Sequence, residues 1–209
     1  MANCVFFGGR NATASDEYEG RLIQMLDPAS FDTHYAGTFG GSFFDYTPTF
    51  ADVSSKYVPK YQYSDTVTSN VDVDTVEILE MHFTNQCRRA SMFIGASQGG
   101  VIATQMAIQR ARMGIQTTLI LLSSSPTPWQ LHQVKFLIEA KLLTVVATVG
   151  WYECYFGGPV EYNSSYDKFS VAYSLQSRFE KIGAKVVLFN GGHCKETEET
   201  FGEIVNLLR

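Results

Sequence analysis

The feature that most constrains this chain is how its apolar residues are grouped. Short unbroken apolar runs alternate with longer stretches in which apolar residues recur every three or four positions. Ser91–Ala96, Thr117–Leu122, Leu143–Val149 and Lys185–Phe189 are runs of the first kind. An unbroken apolar run suits a strand that is buried on both faces. Between these runs lie helical patterns. Gln98–Arg112 closes at Gly114, Trp129–Lys141 follows, and Ser165–Ile182 closes at Gly183. Within the third, Ala172, Leu175, Phe179 and Ile182 share one face, and a last helix carries Phe201, Ile204, Val205 and Leu208 on one stripe. Doubly buried strands linked by helices run parallel, and their sheet needs helices on both sides. The expected fold class is α/β, in three layers, around a mostly parallel sheet of about six strands.

The first third of the chain is less regular. Cys4–Phe7 reads as a strand ending at Gly8-Gly9. Thr13 or Ser15 then caps a helix with Leu22, Ile23 and Leu26 in its stripe, stopped by Asp27-Pro28. Phe31–Phe39 is strand-like and ends at Gly40-Gly41. Residues 41–70 have no period and are rich in Tyr, Phe, Ser and Thr, so they are expected to be an irregular loop region bordering a functional site. Asp74 and Glu77 form a capping box for a helix through Val76, Leu79 and Phe83, which ends near Arg88-Arg89. No repeat or linker divides the chain, and 1–209 is expected to be a single domain.

Composition narrows the function classes. Hydrophobic residues make up 45% and charged residues 18%, which excludes an intrinsically disordered chain. The net charge of −5 offers no basic face for nucleic acid. Cys4, Cys87, Cys154 and Cys194 are scattered and make no C-x-x-C pair, so no zinc site is expected. The N-terminal stretch lacks the basic and apolar regions of a signal peptide, and no run is long enough to span a membrane. A cytoplasmic protein with free thiols is the expectation.

One junction stands out. In "MFIGASQGGVIATQM" an apolar run meets Gly95-Ala-Ser97-Gln-Gly99, and a helical pattern begins at once. This is G-x-S-x-G between strand and helix. A serine there sits on a sharp bend with its hydroxyl clear of the sheet, and the flanking positions have no room for side chains. The helix N-terminus favours developing negative charge beside it. The competing reading is a glycine-rich turn around a packed serine.

The element order and this turn resemble the α/β-hydrolase family. "GASQGG" is similar to the serine elbows of acyl-protein thioesterases, small carboxylesterases and cutinases. The resemblance implies the α/β-hydrolase fold with a reduced sheet, in which Cys4–Phe7 takes the place of the family's third strand. It also implies a serine hydrolase that cleaves an acyl ester or thioester, with Ser97 as nucleophile and no metal or organic cofactor.

The family order is Ser, then acid, then His. Of His34, His82, His132 and His193, only His193 follows the last strand, in "VVLFNGGHCKE". The resemblance makes it the base. The acid is expected after the preceding strand, where Gly150-Trp-Tyr-Glu153 has the family's Gly-x-x-Asp spacing with Glu in place of Asp. Glu161 and Asp167 are the alternatives. The oxyanion donors implied are the N–H groups of Gln98 and Gly9, with Arg10 as runner-up. Cys154 and Cys194 follow the proposed acid and base, and two free thiols are expected there rather than a disulfide. Trp151, Tyr152, Tyr155, Phe156, Phe43, Phe44 and Tyr46 either line a pocket or pack as ordinary core. No cap insertion is evident between Leu122 and Leu143. The partner expected is a small-molecule or acylated substrate. A binding protein on the same fold is the second reading. A flavodoxin-like nucleotide binder is the third, weakened by the absence of G-x-G-x-x-G.

Overall fold

The computed structural model describes residues 2–8, 25, 31–37, 88–97, 99–153 and 170–209. Among these residues six strands form one sheet in the order β2-β1-β3-β4-β5-β6, with each of these pairings parallel. They are β1 (Ala2–Phe7), β2 (Phe31–Gly37), β3 (Ala90–Ala96), β4 (Thr117–Leu122), β5 (Leu143–Gly150) and β6 (Lys185–Phe189). Among the described residues, four helices stand against the sheet: α1 (Gly99–Arg112), α2 (Pro128–Glu139), α3 (Ser170–Lys181) and α4 (Glu198–Leu208).

The unbroken apolar runs are what make three layers. Along each strand, alternate side chains point to opposite faces. Val5, Phe7, Phe93, Leu119, Leu121, Val145 and Val149 join the core under α1, α2 and α3. Their neighbours Cys4, Phe6, Met92, Ile94, Ile120, Leu122 and Val146 join a second core with Phe201 and Ile204 of α4. Neither face is wet, so neither set of positions is polar. Burying a Phe or Leu side chain stabilises by about 1.5–3 kcal/mol, and Phe6, Phe93, Phe179 and Phe201 are all essentially inaccessible.

Local signals set the helix ends. Thr127 caps α2, accepting from the Gln130 N–H, while Gln130 returns a bond to the Thr127 N–H, and Pro128 stands in the first turn. Gly114 and Gly183 both adopt left-handed backbone just beyond α1 and α3 (φ +79° and +85°). The sequence pattern ran α2 to Lys141, whereas the helix stops at Glu139 and Lys141 itself turns left-handed (φ 58°). The expected helices over 13–26 and 74–83, the irregular stretch 41–70 and the region before Ser170 fall outside the described residues, Met25 and the arginines Arg88 and Arg89 excepted.

This layout decides where a site can be. In a parallel sheet all the strand C-termini meet at one edge. The turn after β3, the segments after β4 and β5, and the loop after β6 therefore gather there. Between β4 and β5 the chain holds α2 and short connectors, with no inserted cap.

Candidate active site

The turn after β3 is the first component. Ser97 sits at its apex with φ 50°, a conformation that L side chains rarely adopt. Its N–H donates to the Leu122 carbonyl of β4 at 2.9 Å. Its own carbonyl accepts from the Gly100 N–H at 3.2 Å and from the Ser124 hydroxyl at 2.7 Å. The bend is thus held from both ends, and the hydroxyl is left over for other work.

The glycines around the serine are there for contact rather than flexibility. A Cβ on Gly95 would lie 2.3 Å from the Cα of Gly100. One on Gly99 would lie 2.1 Å from the Phe7 carbonyl oxygen, and one on Gly100 would lie 2.0 Å from Ser124 Oγ. Such distances are far inside van der Waals contact. Gly95 and Gly99 are the glycines of the sequence motif, but Gly100 is as constrained as either. The doubled glycine in "SQGG" was the signal for it.

The second component is the segment after β5. Glu153 follows a tight turn in which its N–H donates to the Gly150 carbonyl at 3.1 Å. The carboxylate is buried, with the side chain only 1% exposed. Burial of a charged group is costly unless it is met by hydrogen bonds, and here Glu153 Oε2 lies 2.8 Å from His193 Nδ1.

The third component is the loop after β6, and it is laced to the second. The Trp151 N–H donates to the Phe189 carbonyl at 3.0 Å, and the Tyr152 N–H to the Gly191 carbonyl at 2.9 Å. A Cβ on Gly150 would lie 2.5 Å from the Gly191 carbonyl oxygen. Close approach of the two backbones is the reason for glycine at 150. His193 emerges from this loop with its Nε2 2.8 Å from Ser97 Oγ.

Ser97, His193 and Glu153 are therefore brought into one hydrogen-bonded line, although 96 and 40 residues separate the paired members. A carboxylate oxygen accepts, so the imidazole proton belongs on Nδ1, and Nε2 is left to accept the serine O–H. Two of the other histidines lie elsewhere among the described residues. His34 falls within β2, and His132 lies in α2 edge-on to Phe136. His82 lies outside the described residues, as do Gln98, Gly9 and Arg10, the alternatives Glu161 and Asp167, and Cys154. Of the aromatic residues considered for a pocket, Trp151 packs edge-on against Tyr173 of α3, with ring centroids 5.6 Å apart. Tyr152 is exposed. Tyr155, Phe156, Phe43, Phe44 and Tyr46 lie outside the described residues.

Among the described residues, no helix is long and apolar enough to cross a membrane. No protein-family model and no curated protein matches the sequence. Solved structures do match in shape. A protein described as a CIB-like hydrolase from Thermoplasma acidophilum aligns with a TM-score of 0.61 at 15% identity, over 99% of this chain and 86% of that one. A protein assigned to the hydrolases of the alpha/beta superfamily from Xanthomonas campestris pv. campestris aligns at 0.55 and 11%, over 99% of both chains. Est1E from Butyrivibrio proteoclasticus aligns at 0.56 and 14%, over 99% of this chain and 86% of that one. At such identities the likeness speaks to architecture: the chain has the α/β-hydrolase fold.

Proposed function

We propose that this protein is a serine hydrolase that cleaves an acyl ester or thioester through an acyl-enzyme intermediate. The observation that carries the reading is the line from Glu153 Oε2 through the His193 ring to Ser97 Oγ, with 2.8 Å at each step. The left-handed backbone of Ser97 supports it, since strained backbone clusters where a side chain must be aimed.

The chemistry follows from the residues. Ser97 Oγ attacks the carbonyl carbon while His193 Nε2 takes its proton. Glu153 holds the Nδ1–H tautomer and stabilises the imidazolium that forms. His193 then protonates the departing alkoxide or thiolate. Water, deprotonated by the same nitrogen, attacks the acyl-enzyme and releases the acid and Ser97. The N–H groups of Gln98 and Gly9 are assigned to the tetrahedral oxyanion on the strength of the family resemblance, and one such donor is worth roughly 10²–10³-fold in kcat.

Labelling with a fluorophosphonate and mapping the adduct by mass tests the reading. The expected result is an adduct on Ser97 in the wild type and none in Ser97→Ala or His193→Ala, with circular dichroism unchanged in both variants. A folded wild type that takes no label would favour a binding protein on this fold and overturn the proposal.

A further inference from the structure

The mechanism leaves one buried carboxylate unused. Glu196 lies three positions after His193 and is 3% exposed. A carboxylate so deep needs hydrogen-bond donors. The Ser123 hydroxyl, just beyond β4, donates to Glu196 Oε1 at 2.9 Å, and the Thr148 hydroxyl of β5 donates to the same oxygen. The ring is closed because the Ser123 N–H donates to Thr148 Oγ1 at 2.9 Å. Ser123 is held with φ 43°, an uncommon conformation for serine.

The neighbour of Ser123 has a different task. Ser124 Oγ holds the carbonyl of Ser97, and Leu122, on the other side, accepts the Ser97 N–H. Three consecutive residues at the end of β4 therefore fasten both the nucleophile's turn and the base's loop. The sequence shows the device as a run of serines, Ser123-Ser124-Ser125, placed where the apolar strand ends.

We infer that Glu196 is a positioning residue for the base: through Ser123 and Thr148 it registers the His193 loop against the same strand end that holds the Ser97 turn. This rests on the hydrolase reading above. The logic is geometric. His193 must meet Ser97 on one side and Glu153 on the other, and a misplacement of about 1 Å costs roughly 10²-fold. The loop after β6 is tied to the segment after β5 at Gly191, two positions before the histidine, and Glu196 adds a second tie three positions after it. This buried acceptor is fixed by one hydroxyl just beyond β4 and one on β5, so the histidine is held from both sides.

Three variants test this, assayed with p-nitrophenyl acetate and by proton NMR of the His193 ring. Glu196→Leu keeps the bulk and removes the acceptor. It is expected to lower kcat by roughly ten- to a hundredfold with KM within about twofold, and to abolish the far-downfield Nδ1–H resonance of His193. Glu196→Gln retains an oxygen that both hydroxyls can reach, and is expected to restore the resonance and bring kcat to within about threefold of wild type. Ser123→Gly removes one hydroxyl while suiting the left-handed backbone, and should lose part of kcat but add little to Glu196→Leu.

A folded Glu196→Leu with wild-type kcat and resonance would overturn the inference, as would Glu196→Gln being as damaged as Glu196→Leu. If Glu196→Leu does not fold, Ser123→Gly decides, and an unchanged resonance and kcat there count against the inference. Should the wild type hydrolyse nothing and take no fluorophosphonate, the hydrolase reading fails alone. The NMR signal still reports whether Glu196 positions the ring.

Discussion

At the scale of single residues, the site is a set of polar atoms that meet one another across the ends of the strands. Glu153 stands where the resemblance leads one to expect aspartate, and its Oε2 lies 2.8 Å from the imidazole, after a turn closed by its N–H on the Gly150 carbonyl. Glu153→Gln should keep the shape but present an amide that cannot stabilise the imidazolium. A fall in kcat on the order of 10³–10⁴-fold is expected, less than for Ser97→Ala, with fluorophosphonate labelling slowed in proportion. Near-wild-type turnover would instead move the acid to Glu161 or Asp167. A second residue works on stability. Cys4 lies in the core, and burial pushes its thiol up to about 12 from 9.0. Its folded form holds the proton while the unfolded thiol gives it up, so the contribution is intact below about 9 and is lost as pH climbs towards 12. Urea unfolding in Cys4→Ala should show a shallower loss of stability from pH 8.5 to 10.5 than the wild type, and Cys4 should resist iodoacetamide until the chain unfolds. Equal slopes in the two proteins would count against burial as the cause.

At the scale of elements, the junction of β3 and α1 is closely packed. Helix and strand approach so closely that backbone of one touches backbone of the other, and Gly95, Gly99 and Gly100 are the positions of contact. Gly99→Ala forces a methyl against the Phe7 carbonyl of β1, and neither side is a flexible side chain. The expected outcome is a loss of about 1–3 kcal/mol in urea unfolding, together with loss of serine labelling, because the helix must back away and rotate the Ser97 turn. A stable Gly99→Ala protein that labels normally would mean that the junction has slack. Elsewhere, α2 and α4 begin at capping boxes built on Thr127 and Thr197.

At the scale of the whole molecule, the parallel sheet acts as a gathering device. Four chain segments that are distant in sequence end at one edge, and hydrogen bonds between them bring the site together. Gly150 marks the closest meeting of two of these segments. Gly150→Ala should press the loop after β6 away from the loop after β5. The expected result is a fall in kcat of roughly tenfold or more, at little change in the circular dichroism of the sheet. If instead the variant unfolds while its residual folded fraction turns over normally, the contact serves stability and not alignment.

The layered architecture was legible because both of its causes are local. Unbroken apolar runs require strands covered on two sides, and the spacing of Leu175 and Phe179, or of Phe201 and Ile204, requires helices to cover them. The bounds of β4 and β6 were read directly from such runs. Ser97 was legible for a similar reason: a turn that tight tolerates few residue types, so its glycines leave a pattern. The carboxylate beside His193 was only narrowed to three candidates, since a carboxylate after β5 looks the same in sequence whether or not an imidazole lies beside it. Gly100 and Ser124 left only residue runs, the doubled glycine and the serines after β4, and the Glu196 ring left no sequence signal. Their roles arise from contacts between segments that share no sequence neighbourhood, and a buried glutamate differs from a surface one only in what the fold packs around it. Periodicity encodes which face of an element is dry. Which polar atoms meet across the ends of a sheet is set by strand order and register, and these emerge when the layers pack.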